Sequence, residues 1–231
     1  MDSRLLTPNQ LAAYIDHTLL RADATAADIK KLCTEAREYS FCCVCVNGAW
    51  VRFARSLLEG SAIKVASTAG FPLGAMTTDV KCYETQNAIA DGAQEIDVVL
   101  NIGRLKQGDD HYVFYELCEI VQVAEGRTVK VILETCLLSQ DEKIRACRMA
   151  MDSGAQFAKT STGLSSGGAT VEDVALMRKT VGPAFGVKAA GGIRNAATAL
   201  AMIDAGATRI GASTGVAIIK GLGEGQLLQQ V

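Results

Sequence analysis

Short apolar and β-branched runs recur along this chain, separated by longer segments with helical spacing and capping residues. The runs are I-D-H-T-L-L at 15–20, F-C-C-V-C-V at 41–46, I-K-V-A-S-T at 63–68 and E-I-D-V-V-L at 95–100. V-K-V-I-L-E at 129–134, F-A-K-T at 157–160, G-V-K-A-A at 186–190 and R-I-G-A-S at 209–213 continue the series. Runs this short and this apolar suit strands buried on both faces of a parallel sheet.

Between them lie helix signals. Thr7-Pro8-Asn9-Gln10 combines an N-cap, a first-position proline and a capping box, and predicts a short helix to about residue 14. Thr25 with Asp28, Ser139 with Glu142 and Thr170 with Asp173 are further capping boxes, while Thr77 or Thr78 and Asn195 are further N-caps. Helices are also expected over 49–59 and 111–124, with a short one closing the chain. A weak repeat, D-G-A-Q-E-I-D, S-G-A-Q-F-A-K and A-G-A-T-R-I-G, sets a glycine after a helical pattern and just before a strand. Glycine there ends the helix and feeds the chain into the sheet. Eight strands with short crossovers predict a (β/α)8 TIM barrel with a short extra N-terminal helix, forming one domain over 1–231. An open doubly wound sheet is the alternative, but no G-x-G-x-x-G follows the first strand.

The composition narrows the function. With 231 residues, 49% hydrophobic, the chain can bury a large core, and a net charge of −2 with scattered signs offers no basic field for nucleic acid or membrane. The N-terminal residues lack the apolar core of a secretion signal, and no apolar run approaches the ~20 residues of a membrane span. A cytoplasmic protein is expected. The eight cysteines fall inside periodic segments and read as reduced core thiols. Cys42 and Cys45 form a C-x-x-C, yet an extended strand would point them to opposite faces. With just His17 and His111 to join them, no metal site is expected.

The candidate chemistry lies in two lysines. Lys159 and Lys188 each sit mid-strand before a glycine-rich turn, where an ammonium loses hydration unless it is paired or neutral. If both face one cavity at about 6 Å, they repel by roughly 3 kcal/mol, enough to lower one amine by about two pH units. A neutral amine attacks carbonyl carbon. Asp97, Asp16 and Thr18 also fall late in strands, where barrels place their chemistry. Glycine-rich ends at Gly163, Gly191 and Gly192, with Ser213 and Thr214, suit an anion held by backbone amides without a dedicated cation. Each residue also has a plainer reading. The lysines would be snorkelling cations, Asp97 a structural ion-pair partner, Asp16 a local cap and Cys45 a small core hydrophobe.

Taken together, I-D-H-T-L-L, V-C-V-N, A-G-F-P-L-G, the stretch from G-A-Q-E-I-D to G-R-L-K, V-K-V-I-L-E-T, F-A-K-T-S-T-G, V-K-A-A-G-G-I-R and R-I-G-A-S-T-G carry a resemblance. In that order, over about residues 10–217, they resemble the deoxyribose-phosphate aldolase family of class I aldolases. The resemblance implies reversible cleavage of 2-deoxy-D-ribose 5-phosphate to D-glyceraldehyde 3-phosphate and acetaldehyde, with no cofactor. It implies that Lys159 forms the Schiff base, Asp97 serves the proton relay and Lys188 tunes Lys159. Gly163, Gly191, Gly192, Ser213 and Thr214 would bind phosphate, while Thr18, Cys45 and Thr162 would line the pocket beside Asp16. A homo-oligomer, dimer or tetramer, is implied too. Leu164 stands where some members carry lysine, and the end Q-L-L-Q-Q-V lacks the tyrosine of some members' tails. Rival readings are another lysine-dependent or transaldolase-like barrel enzyme, and a barrel that binds sugar phosphates without turnover.

Overall fold

The computed structural model describes residues 6–228, with side chains in the last helix described as far as residue 222. Helix α1 (Pro8–Ala12) leads into β1 (Ile15–Leu19), and β2 (Cys43–Val46), β3 (Lys64–Ala69) and β4 (Glu95–Val99) follow. Next come β5 (Thr128–Ile132), β6 (Phe157–Lys159), β7 (Gly186–Ala190) and β8 (Arg209–Ala212). All neighbours pair in parallel, and β8 pairs β1, closing the barrel that the run of strands predicts.

The helices wrap this barrel: α2 (Ala26–Tyr39), α3 (Val51–Leu57), α4 (Thr78–Ala90), α6 (Asp110–Val123), α7 (Gln140–Asp152), α8 (Val171–Val181), α9 (Ala196–Asp204) and α10 (Gly215–Leu228). A short α5 (Ile102–Lys106), capped by Asn101, was not foreseen, because five residues carry too little periodicity to register. Capping boxes close in both directions at Thr7, Thr25 and Ser139. At Thr170 only half the box forms, since the Asp173 carboxylate turns to Lys143 at 2.6 Å. The closing helix is longer than expected, and the expectation about the chain's final residues falls largely outside the described side chains.

Side chains alternate between two layers. Val44, Val65, Ile96, Val98, Val129, Val131, Ala158, Val187, Ala189 and Ile210 point outward and join the helices in one apolar core. The inward set is more mixed: Cys43, Cys45 and Ala66 form a separate cluster, and Asp16, Glu95, Asp97, Lys130, Lys159, Lys188 and Arg209 place acids and bases beside them. Cys42 packs on that same cluster, against the expected opposite placement, because it precedes β2 and does not follow the strand's alternation.

Among the described residues, one fully buried ion pair lies in the outer layer. Lys81 of α4 meets Glu116 of α6 at 2.6 Å and donates to the Val99 carbonyl at 2.9 Å, with both side chains fully buried. Burial is the largest influence on both groups. It lowers the Lys81 pKa and raises that of Glu116, each towards neutrality, against their mutual attraction. The pair therefore adds little net stability, yet breaking it strands a charge. Lys81→Met is expected to lower the unfolding free energy by about 3–5 kcal/mol in urea titrations. Adding Glu116→Leu should recover most of that loss; a double variant worse than the single one would refute this account.

Candidate active site

Strand periodicity builds the site. Glu95 and Asp97 are two apart on β4 and share a face, which the structure identifies as the barrel interior. Registers Asp97 with Lys130, and Lys159 with Lys188, bring the bases of β5, β6 and β7 alongside. Asp16 of β1 and Arg209 of β8 complete the ring.

The contacts form a ladder down the barrel. Asp97 Oδ2 accepts from both Lys159 Nζ and Lys188 Nζ at 2.8 Å, and its Oδ1 accepts from Lys130 Nζ at 2.8 Å. Lys188 also donates to Asp16 Oδ2 at 2.5 Å. Beneath them Lys130 pairs Glu95 at 2.6 Å, and Arg209 bridges Asp16 at 2.7 Å and Glu95 at 3.3 Å. Lys64, half-exposed at the lower rim, reaches Glu95 at 3.0 Å.

These neighbours set the protonation states. Burial alone would raise the Asp97 pKa, but the surrounding Lys130, Lys159 and Lys188 hold it well below the usual carboxylate range. Asp16 likewise overcomes burial and is lowered to about 2, chiefly by Lys188 and Lys130. Crowding is expected to cost one of the paired lysines its proton, and Lys188 is not that amine. Burial lowers its pKa, but Asp16 and Asp97 outweigh that and raise it above the ordinary lysine value. Pairwise repulsion between two lysines left out the anions between them. The Asp16 and Glu95 carboxylates and the Cys43 thiol lie within 4.8 Å of one another, a spacing compatible with a metal, but basic side chains already hold both carboxylates.

Ion-pair contacts single out Lys159 among the enclosed bases. Lys130 has ion-pair contacts with Asp16, Glu95 and Asp97, Lys188 with Asp16 and Asp97, whereas Lys159 touches one carboxylate oxygen and shares it with Lys188.

Lys159 is also the amine that borders open space. It floors a cavity of about 460 Å³ at the C-terminal mouth of the barrel. Thr18, Thr162, Gly163, Gly191, Gly192 and Ser213 line the same cavity, gathering most of the residues expected there. Gly191, at φ +91°, is pressed against Gly168, so that a Cβ would lie 3.0 Å from the Gly168 Cα; both the backbone angle and the space require glycine. Thr214 stands just outside, its hydroxyl 3.4 Å from the Ile193 carbonyl. Asp16, Asp97, Lys188 and Cys45 lie beneath the floor, fully buried, and burial pushes the Cys45 thiol up to about 11. Leu164 is exposed at the mouth, but Arg21, Lys31 and Arg194 line the cavity, supplying cations that the glycine-rich turns alone did not suggest.

Lys130 and Arg209 escaped the sequence reading, and Glu95, which alternation sets on the face of Asp97, was given no role by it. Lys130 shows the signal that exposed the other two, a lysine in the middle of an apolar run. Arg209 opens its strand, a position whose burial the local pattern does not mark.

A parallel barrel with a lysine at the floor of its C-terminal cavity, backed by an ionised aspartate, has the architecture of a barrel aldolase. The chain belongs to the DeoC/LacD aldolase family, whose profile matches residues 10–221. It is 62% identical over 210 residues to the deoxyribose-phosphate aldolase of Alkaliphilus oremlandii (strain OhILAs), covering 90% of this chain and 95% of that protein. Against the deoxyribose-phosphate aldolase of Geobacillus sp. (strain WCH70) identity is 58% over 214 residues, covering 92% and 96%. Among solved structures, the tetrameric deoxyribose phosphate aldolase of Aeropyrum pernix superposes with a TM-score of 0.88 at 35% identity, covering 94% of this chain and 92% of that one.

Proposed function

We propose that this chain is a class I aldolase that reversibly cleaves 2-deoxy-D-ribose 5-phosphate to D-glyceraldehyde 3-phosphate and acetaldehyde, with Lys159 as the covalent nucleophile. The supporting observation is the position of Lys159, the enclosed amine with the fewest carboxylate contacts and the one facing the cavity. Family membership and the relatives' common activity point the same way.

Neutral Lys159 Nζ adds to the aldehyde carbon of the open-chain sugar, and loss of water gives an iminium. The two-carbon product fixes the bond that breaks as C2–C3. Its electron pair flows into the iminium to form an enamine, while the 3-hydroxyl loses its proton. Asp97, 2.8 Å from both Lys159 and Lys188, is placed to pass that proton on through a bound water. Its depressed pKa makes it a relay rather than a resting place for the proton. Protonation of the enamine at carbon and hydrolysis release acetaldehyde and restore Lys159. Lys188, held cationic by Asp16, keeps positive charge beside the nucleophile.

We assign phosphate to the glycine-rich part of the cavity lining. There the amides of Gly163, Gly191 and Gly192, the Ser213 hydroxyl and the N-terminus of α10 beyond Thr214 offer donors. A homo-oligomer, dimer or tetramer, is the proposed assembly, and the chain acts as one domain. Among the described residues no helix is long and apolar enough to cross a membrane; a cytoplasmic site of action is proposed.

The test is chemical trapping. Incubation with 2-deoxyribose 5-phosphate and borohydride should leave a reduced adduct that peptide mass spectrometry maps to Lys159. An adduct elsewhere, or none from folded protein with either this sugar or acetaldehyde, would sink the assignment.

A further inference from the structure

Among the described residues, the non-glycine positions with positive φ are Ser40, Glu125 and Glu134. Ser40 and Glu125 are exposed and follow helices, where such a turn is common. Glu134 is different. It lies just past β5 at φ 56° and ψ 62° and is 2% exposed. A residue with a side chain holds this conformation only where surrounding contacts over-determine it.

Apart from a long contact in which Oε1 accepts from the Cys136 thiol at 4.0 Å, the carboxylate's hydrogen bonds reach one loop. Both Glu134 carboxylate oxygens accept from the Thr162 amide, at 3.3 and 3.4 Å, and Oε2 also accepts from the Thr162 hydroxyl. Thr162 Oγ1 in turn accepts from the Leu164 amide at 3.1 Å. Thr162 therefore spends its hydroxyl proton on Glu134 rather than on a ligand. The residue so bracketed, Gly163, has φ +85° and rests against Gly191, where a Cβ on Gly191 would sit 3.4 Å from the Gly163 Cα. Gly191 is tied back to the same loop, its carbonyl accepting from the Ala169 amide at 3.0 Å.

We propose that Glu134 is a positioning residue for phosphate recognition: its carboxylate, through Thr162, fixes Gly163 against Gly191 so that their amides converge on the anion. This rests on the aldolase reading above. It differs from a merely structural role, because it assigns Glu134 to one end of the substrate and leaves the reacting carbons to Lys159.

Three variants separate the possibilities. Glu134→Gly deletes the carboxylate while relieving the backbone strain, Thr162→Val removes the hydroxyl link at nearly constant shape, and Thr162→Ser retains it. Steady-state kinetics with 2-deoxyribose 5-phosphate and with unphosphorylated 2-deoxyribose give the preference for phosphate. In the Gly and Val variants KM for the phosphorylated sugar should rise about tenfold and the preference fall about tenfold, the scale of losing buried hydrogen bonds to an anion cradle. The Ser variant should stay near wild type. If both sugars slow equally and the preference holds, the proposal is overturned in favour of general packing. Calorimetric titration with inorganic phosphate reads the same cradle without turnover. About tenfold weaker binding is expected in the Gly and Val variants, and equal affinity overturns the proposal whatever the kinetics show. A wild-type enzyme without a Lys159 adduct would instead remove the aldolase reading, which keeps the two failures distinct. Should Glu134→Gly not fold, the Val and Ser pair carries the test alone.

Discussion

Lys159→Ala is expected to lower kcat/KM for 2-deoxyribose 5-phosphate by about four orders of magnitude or more, the scale on which enzymes lose activity with their covalent nucleophile. No neighbour can take over. Lys188 is fully buried and tied to Asp16 at 2.5 Å and Asp97 at 2.8 Å, and Lys130 lies deeper among three carboxylates. Stability should move differently from activity. The end of Lys159 borders a cavity, and Asp97 keeps Lys130 and Lys188 as partners, so urea unfolding should show no loss beyond about 1 kcal/mol. Residual activity within tenfold of wild type would end the nucleophile assignment. Equal collapse of stability and activity would recast Lys159 as a structural cation.

The sequence made the barrel legible because its strands are short apolar runs and its helices start with real caps. Each cue is local. Thr7, Thr25 and Ser139 announce their helices through neighbours three residues away, and the structure forms all three boxes. The charged interior was legible only in part. Alternation groups Glu95 with Asp97, but a period of two cannot say which face turns inward, and that depends on closing β8 onto β1. Lys188 shows the cost of reasoning pairwise. Repulsion between Lys159 and Lys188 predicts one depressed amine without naming it, and Asp16, 172 positions from Lys188 in the chain, keeps Lys188 from being that one. Glu134 was hidden for another reason: nothing in V-K-V-I-L-E signals that the last residue turns left-handed, a conformation imposed by contacts with Thr162.

Asp97 is where the chemistry and the stability of the interior meet. Three amines share its two oxygens, so Asp97→Asn removes the anion common to Lys130, Lys159 and Lys188. Loss of the proton relay should lower kcat by about two to four orders of magnitude. The uncompensated cations should cost about 3–5 kcal/mol of unfolding free energy at pH 7. The stability difference has a defined pH dependence. Asp97 has its folded pKa depressed, so its contribution is complete above the unfolded value of about 3.9 and is lost as pH falls through the folded value. The gap between wild type and Asp97→Asn should therefore be constant from pH 7 down to about 5 and narrow below about 4. Urea titrations at pH 7 and pH 3 decide the matter. A gap that widens in acid would mean that the depressed state of Asp97 does not stabilise the fold, and the charge ladder would lose its central rung.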